Sequence, residues 1–210
     1  MRAILATKIG MTQVNNDKGQ QVPVTVMQAG PCVVVQRKTT AIDGYEAAQI
    51  GFIDQKEQRL SKAEAGHLKK AGVKAVKSLR EVALDKGEDI KPGETVSVKI
   101  FEGISHVDVI GITKGQGFQG VVKRHRMAGG PAAHGHMSHR RIGAIGQRTW
   151  PARIMKNKRM PGRMGRTSIT VQNLRVIQVR PDDNLILVEG AIPGPTGATV
   201  LVRKAVKKIK

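Results

Sequence analysis

Residues 109–181 contain no aspartate or glutamate. These 73 residues hold fifteen Lys and Arg, eleven of the 24 glycines and four of the six histidines. The chain has a formal net charge of +20, so this third carries +15 and the other 137 residues only +5. Uncancelled charge at that density repels itself and opposes compaction. A solvated surface face would have acids interspersed among its cations, so the segment reads as one built to meet a polyanion. Its middle, residues 123–166, shows neither the 3.6-residue period of a helix nor the 2.0-residue period of a strand. So long an irregular stretch suits a functional extension better than a layer of a core.

The rest of the 210 residues must supply the folded body. Hydrophobic residues make up 40% of the chain but aromatics number only five, so the core is expected to be aliphatic. No apolar run approaches the roughly 18–20 residues of a membrane span, and no signal-peptide pattern opens the chain. The single cysteine, Cys32, excludes an intramolecular disulfide and a Cys-rich zinc site, and reads as a small buried residue. A soluble intracellular polycation is the expectation.

Short β-branched runs at 3–9, 22–27, 32–38 and 47–53 are cut by turn residues, the first turn at 15–19. Pro23 marks the second run as an edge or a strand start. Strands at this spacing suggest a barrel or a sandwich. Residues 55–91 read as a small helical insert. Ser61 and Glu64 have capping-box spacing, Gly72 would end that helix, and a weaker helix is expected over 75–84. Strand character returns at 95–101 and 107–113, then at 168–179, 185–189 and 199–203. A slip in alternation between Val171 and Leu174 predicts a bulge. The organisation expected is a mainly β domain from 1–54, 92–122 and 167–204, the insert at 55–91, an extended arm at 123–166 and a basic, frayed tail at 205–210.

Several motifs in the acid-free third could be over-read. Residues 115–120, GQGFQG, match G-x-G-x-x-G, but no long helix follows and no acid precedes Asp182 to hold a ribose. The glycines fit a tight bend or close approach to phosphates instead. His134, His136 and His139 resemble a metal triad, yet no carboxylate supports them and Arg140 and Arg141 adjoin them; neutral imidazoles there suit bases and sugars. No nucleophile elbow, zincin motif or P-loop occurs, and no paired acid and base suggest an enzyme. Neither a cofactor nor a small-molecule substrate is expected. Cations alternating with Gly, Pro and Met suit folded RNA better than a DNA groove. The candidate RNA-binding set is Lys114, Lys123, Arg124, His125, Arg126, His134, His139, Arg140, Arg141, Gln147, Arg148, Trp150, Arg153, Lys156, Lys158, Arg159, Arg163 and Arg166. In it cations neutralise phosphates and Trp150 acts as a stacking wedge.

KIGMTQ (8–13), DGYEAAQIG (43–51), EAGHLKKAGV (64–73), VDVIGITKGQGFQGVVKRH (107–125), SHRRIGAIGQR (138–148) and NLILVEGAIPGPTG (184–197) resemble the universal large-subunit ribosomal protein L-three family, bacterial type, over essentially the whole chain. The resemblance implies a six-stranded translation-type barrel with a small helical insert and a long basic, largely irregular extension. It implies a structural role in the cytoplasmic large ribosomal subunit: binding large-subunit rRNA and nucleating early assembly, with neighbouring ribosomal proteins as further partners. The extension would run towards the peptidyl transferase centre, its tip near 145–153. Some members carry a methylated glutamine two residues before the tip proline, where this chain has Thr149, so that modification is not expected. A free-standing RNA chaperone or assembly factor is the alternative reading.

Overall fold

The computed structural model describes residues 1–16, 19–85 and 87–208. It is mainly β, with 42% of residues in strands and 12% in helices. Two compact units divide it, one comprising Met1–Ile112 with Ser168–Lys210 and the other Thr113–Thr167.

The first unit contains β1 (Ala3–Asn15), β2 (Gln21–Ala29), β3 (Cys32–Lys38), β4 (Ala47–Asp54), β5 (Val76–Ala83), β6 (Thr95–Val96) and β7 (His106–Ile112). The second unit holds β8 (Gly117–Gln119) and β9 (Gly162–Met164), and the first unit resumes with β10 (Ser168–Arg180), β11 (Leu185–Glu189) and β12 (Thr199–Lys204). Among the described residues three α-helices, α1 (Thr40–Asp43), α2 (Lys62–Lys70) and α3 (Val121–His125), interrupt the strands.

Six strands pair antiparallel in the order β1-β12-β7-β10-β11-β2, and β2 pairs back onto β1. Every strand of this set therefore has two partners, which removes exposed sheet edges. Ile4, Met27, Val107, Val109, Ile186, Val188 and Val202 are fully buried. The core is aliphatic as expected, with Phe52 and Phe101 its only aromatics among the described residues. Buried Cys32 lies in the same cluster. Its thiol, pushed up to about 12 by burial, stays protonated and so lacks the thiolate that reactivity needs.

The first correction concerns residues 32–54, expected to join the first two strands in one barrel. β3 and β4 instead form a second sheet, in the order β5-β4-β3-β6. The second correction lies within the insert, where β5 stands in place of the weaker helix. Val76 and Val82 are both buried. Val82 joins the main core, and Val76 joins a smaller cluster with Val35 and Leu68. Pairing with β4 then outweighs the helix propensity of the intervening Lys, Leu, Arg and Glu. Gly51 makes room, since a Cβ there would stand 2.8 Å from a Val76 methyl. The third correction is at 95–101, where only Thr95–Val96 is strand and Val98–Phe101 is a 3-10 turn. That turn buries Val98 and Phe101 together, which the three-residue period allows and strand alternation forbids.

Other expectations hold. Ser61 Oγ accepts from the Glu64 amide and the Glu64 carboxylate accepts from the Ser61 amide, closing the capping box of α2. Gly72 follows the helix with φ +66°. The bulge falls between Val171 and Leu174. There buried Asp108 accepts from the Asn173 amide at 2.9 Å and from Arg203 Nε and Nη2 at 3.1 and 3.0 Å. Lys8, also buried, donates Nζ to the carbonyls of Ile192 and Gly194 at 3.1 and 3.2 Å, tying down the Pro/Gly loop at 192–197. The turn expected at 15–19 includes Asp17 and Lys18, which lie outside the described residues, as do Ile209 and Lys210 of the tail. Ala205 is not frayed; it is buried and its amide donates to the His106 carbonyl at 3.2 Å.

Candidate nucleic-acid interface

The second unit, Thr113–Thr167, carries thirteen Lys and Arg and no acid, so no ion pair can form within it. Its shape depends on backbone hydrogen bonds and on side chains that reach carbonyls. At its root the Thr113 amide donates to the Thr167 carbonyl at 3.0 Å, and the Thr167 amide donates to Thr113 Oγ1 at 3.2 Å. β8 and β9 then pair, with Gly117 opposite Met164, Phe118 opposite Arg163 and Gln119 opposite Gly162. Gly165, at φ +78°, lets the strands meet: a Cβ there would lie 2.2 Å from the Lys114 carbonyl oxygen. The GQGFQG run is thus one side of a close two-stranded crossing, and only the five-residue α3 follows it. The dinucleotide motif has no structural counterpart here.

α3 ends at Arg126 in the left-handed region. Two of its side chains reach one acceptor: Arg124 Nη1 donates to the Met160 carbonyl at 2.7 Å, and His125 Nε2 lies 3.1 Å from the same oxygen. A hydrogen bond there requires the His125 tautomer with its proton on Nε2. Gly162 accommodates the Arg124 guanidinium, because a Cβ would sit 2.6 Å from Nη1. Arg124 and His125 are half-buried; the other sixteen candidate residues are exposed. The structure thus separates two joint-closing residues from a set available to a ligand.

Residues 129–141 form a tight loop that uses its histidines internally. The Gly130 amide donates to the His139 carbonyl at 2.7 Å, His139 Nδ1 lies 3.0 Å from the Pro131 carbonyl, and the Ser138 amide donates to His136 Nδ1 at 3.3 Å. The His136 and His139 rings meet edge-on at 6.2 Å between centroids. The His136 ring also fills the space beside Gly130, where a Cβ would stand 1.9 Å from it. His134 remains exposed, with φ +60°.

Farther out, a bridge joins Arg148 to Pro151, and Trp150 between them is 83% exposed. The Trp150-Pro151 peptide is cis, and Ala152 takes φ +58°. Lys114, Lys123, Arg126, Arg140, Arg141, Arg148, Arg153, Lys156, Lys158, Arg159, Arg163 and Arg166 all face solvent. Arg140 and Arg141 rim a cleft of about 460 Å³ whose floor includes Val121, Ile142 and Pro161. This concave apolar floor was missed in the sequence because its residues come from three separated segments. Phe118, 76% exposed, was also missed.

Comparison with known proteins agrees with this geometry. Residues 80–185 match the family described as Ribosomal protein L3. The chain is 50% identical over 206 residues to the large ribosomal subunit protein uL3 of Heliobacterium modesticaldum, spanning 98% of each chain. It is 51% identical over 204 residues to that of Solibacter usitatus, covering 96% of this chain and 97% of the relative. For Thermotoga maritima uL3 the identity is 48% over 207 residues, 98% of both. A mainly β body bearing an acid-free, cation-studded unit is here the make-up of a structural ribosomal protein, not of an enzyme. The chain belongs to the ribosomal protein L3 family.

Proposed function

We propose that this chain binds large-subunit rRNA as a structural constituent of the cytoplasmic ribosome and helps to nucleate subunit assembly. Its ring of six strands acts as a translation-type barrel on which neighbouring large-subunit proteins pack. Residues 123–166 act as an arm threaded through folded RNA towards the peptidyl transferase centre, with Trp150 wedged at its tip. One observation carries this reading: thirteen cations in Thr113–Thr167, all but Arg124 exposed and none with an acid in the same unit. Phosphates crowded by RNA folding are the counter-charge that such a surface fits.

The test is binding to protein-free large-subunit rRNA across a salt series. Replacing Arg140, Arg141, Lys156, Lys158 and Arg159 with Gln lowers the slope of log affinity against log salt by about 0.7–0.9 for each phosphate no longer neutralised. Deleting 123–166 lowers it further while the β body stays folded. An unchanged slope in both variants refutes phosphate binding by the arm.

A further inference from the structure

The five aromatic side chains of this protein divide by location. Phe52 and Phe101 are buried in the core of the β body. Tyr45 is tied into a surface cluster, its hydroxyl accepting from Lys38 Nζ at 2.9 Å and donating to Glu81 at 2.8 Å. The two most exposed, Trp150 at 83% and Phe118 at 76%, both stand in the acid-free unit. Trp150 belongs to the tip already described. Phe118 does not: it sits on β8, at the root of the unit, directly opposite Arg163 on β9. Cross-strand partners project on the same face of a sheet, so an uncovered phenyl ring and an exposed guanidinium stand side by side there. Phe118 makes no ring contact with another aromatic among the described residues. Gly117, directly before it, adds no side chain beside the ring.

We propose that Phe118 is a base-stacking platform, on which an unpaired nucleobase of folded RNA lies while Arg163 holds the adjacent phosphate. The proposal rests on the RNA-binding reading and sharpens it to one side chain. The base must be unpaired, because stacking on a side chain needs a face of the base that no neighbour in a helix covers. Arg163 on the same small sheet and the absence of any acid in the unit favour a nucleotide over an acidic or apolar protein segment.

Affinity for protein-free large-subunit rRNA, measured over a salt series, tests this with Phe118→Ala, Phe118→Leu and Phe118→Tyr. Phe118→Ala is expected to weaken binding about 5- to 150-fold, the worth of one base–aromatic stack, and to leave the salt slope unchanged. Phe118→Tyr keeps the ring and binds as the parent chain does, whereas Phe118→Leu keeps apolar bulk without the ring and binds as weakly as Phe118→Ala. Amide exchange in 113–167 stays as protected in all three. Parental affinity in Phe118→Ala, rescue by Leu, or weaker protection in 113–167 overturns the stacking role. The five-cation variant is measured alongside. If its slope falls while Phe118→Ala binds normally, only the platform fails; if neither changes, RNA binding by this unit fails with it.

Discussion

The β body and the acid-free unit are held in shape by different means. In the body, a continuous aliphatic core does most of the work, and the ion pairs among the described residues all lie there. Asp85 alone draws together Arg2, Lys204 and the Met1 amine. In the acid-free unit the sole buried apolar side chain among the described residues is Val121. Arginine and histidine there are bonded to carbonyls, glycines let backbones touch, and six non-glycine residues take positive φ: Arg126, His134, His139, Ala152, Asn157 and Arg166. Left-handed backbone costs an L-residue about 1–2 kcal/mol. The body thus holds its own stabilising contacts, while the other unit carries local cost and spare charge that a bound polyanion can offset.

The contrast can be broken most forcefully at the core. Phe101→Ala, at a fully buried position, is expected to cost about 3–5 kcal/mol, seen as a large fall in melting temperature. Trp150→Ala, at 83% exposure, should shift it by no more than about 0.5 kcal/mol. Comparable losses would mean that the tip contributes to the fold. Acid gives a second contrast. Hydrogen bonds from Arg2 hold the Asp85 carboxyl below its ordinary 3.8, and those from Lys38 and Tyr45 hold Glu81 below 4.5. Glu88 is also lowered from 4.5; burial raises it, but the Met1 amine and the Asp85 amide more than reverse that. Carboxyls depressed in the folded state stabilise it above their unfolded values and lose that effect as pH falls through the folded ones. Thermal melts should thus show the body weakening as pH drops below 4.5 and then below 3.8, whereas the local amide exchange of 113–167, which has no carboxyl, shows no such step.

A smaller effect is expected at the joint. Arg124→Ala removes a charged donor from Met160 and should cost about 1.5–3 kcal/mol, read as faster amide exchange at 160–165 with the melting of the body unchanged. If the body melts earlier too, the two units are not separate in stability. The smallest change is Ala152→Gly, which relieves a left-handed alanine and should slow proteolysis at the tip by an amount corresponding to less than about 1 kcal/mol. Faster cleavage would show that Ala152 is held there by more than its backbone.

What was legible in the sequence was local or electrostatic. The Ser61–Glu64 capping box, the bulge after Val171 and the division of charge can all be read within a few residues or by counting. The second sheet was not legible, because β5 reaches β4 across α2, β6 reaches β3 from Thr95 to Val33, and Val76 and Val82 sit among good helix formers. Val98 and Phe101 lay in an alternating run whose actual period is three. Within the candidate interface, charge and Trp150 stood out. The roles of Arg124 and His125 did not, since both partners meet at a carbonyl 35 or 36 residues away.

That shared carbonyl has a further consequence. An oxygen with two lone pairs that already receives Arg124 and His125 is saturated, so a ribose hydroxyl arriving nearby finds no acceptor at Met160. The acceptor also belongs to the main chain, and any residue at position 160 would present it. Sequence drift is therefore tolerated on one side of the joint and restricted on the other, where both donors reside.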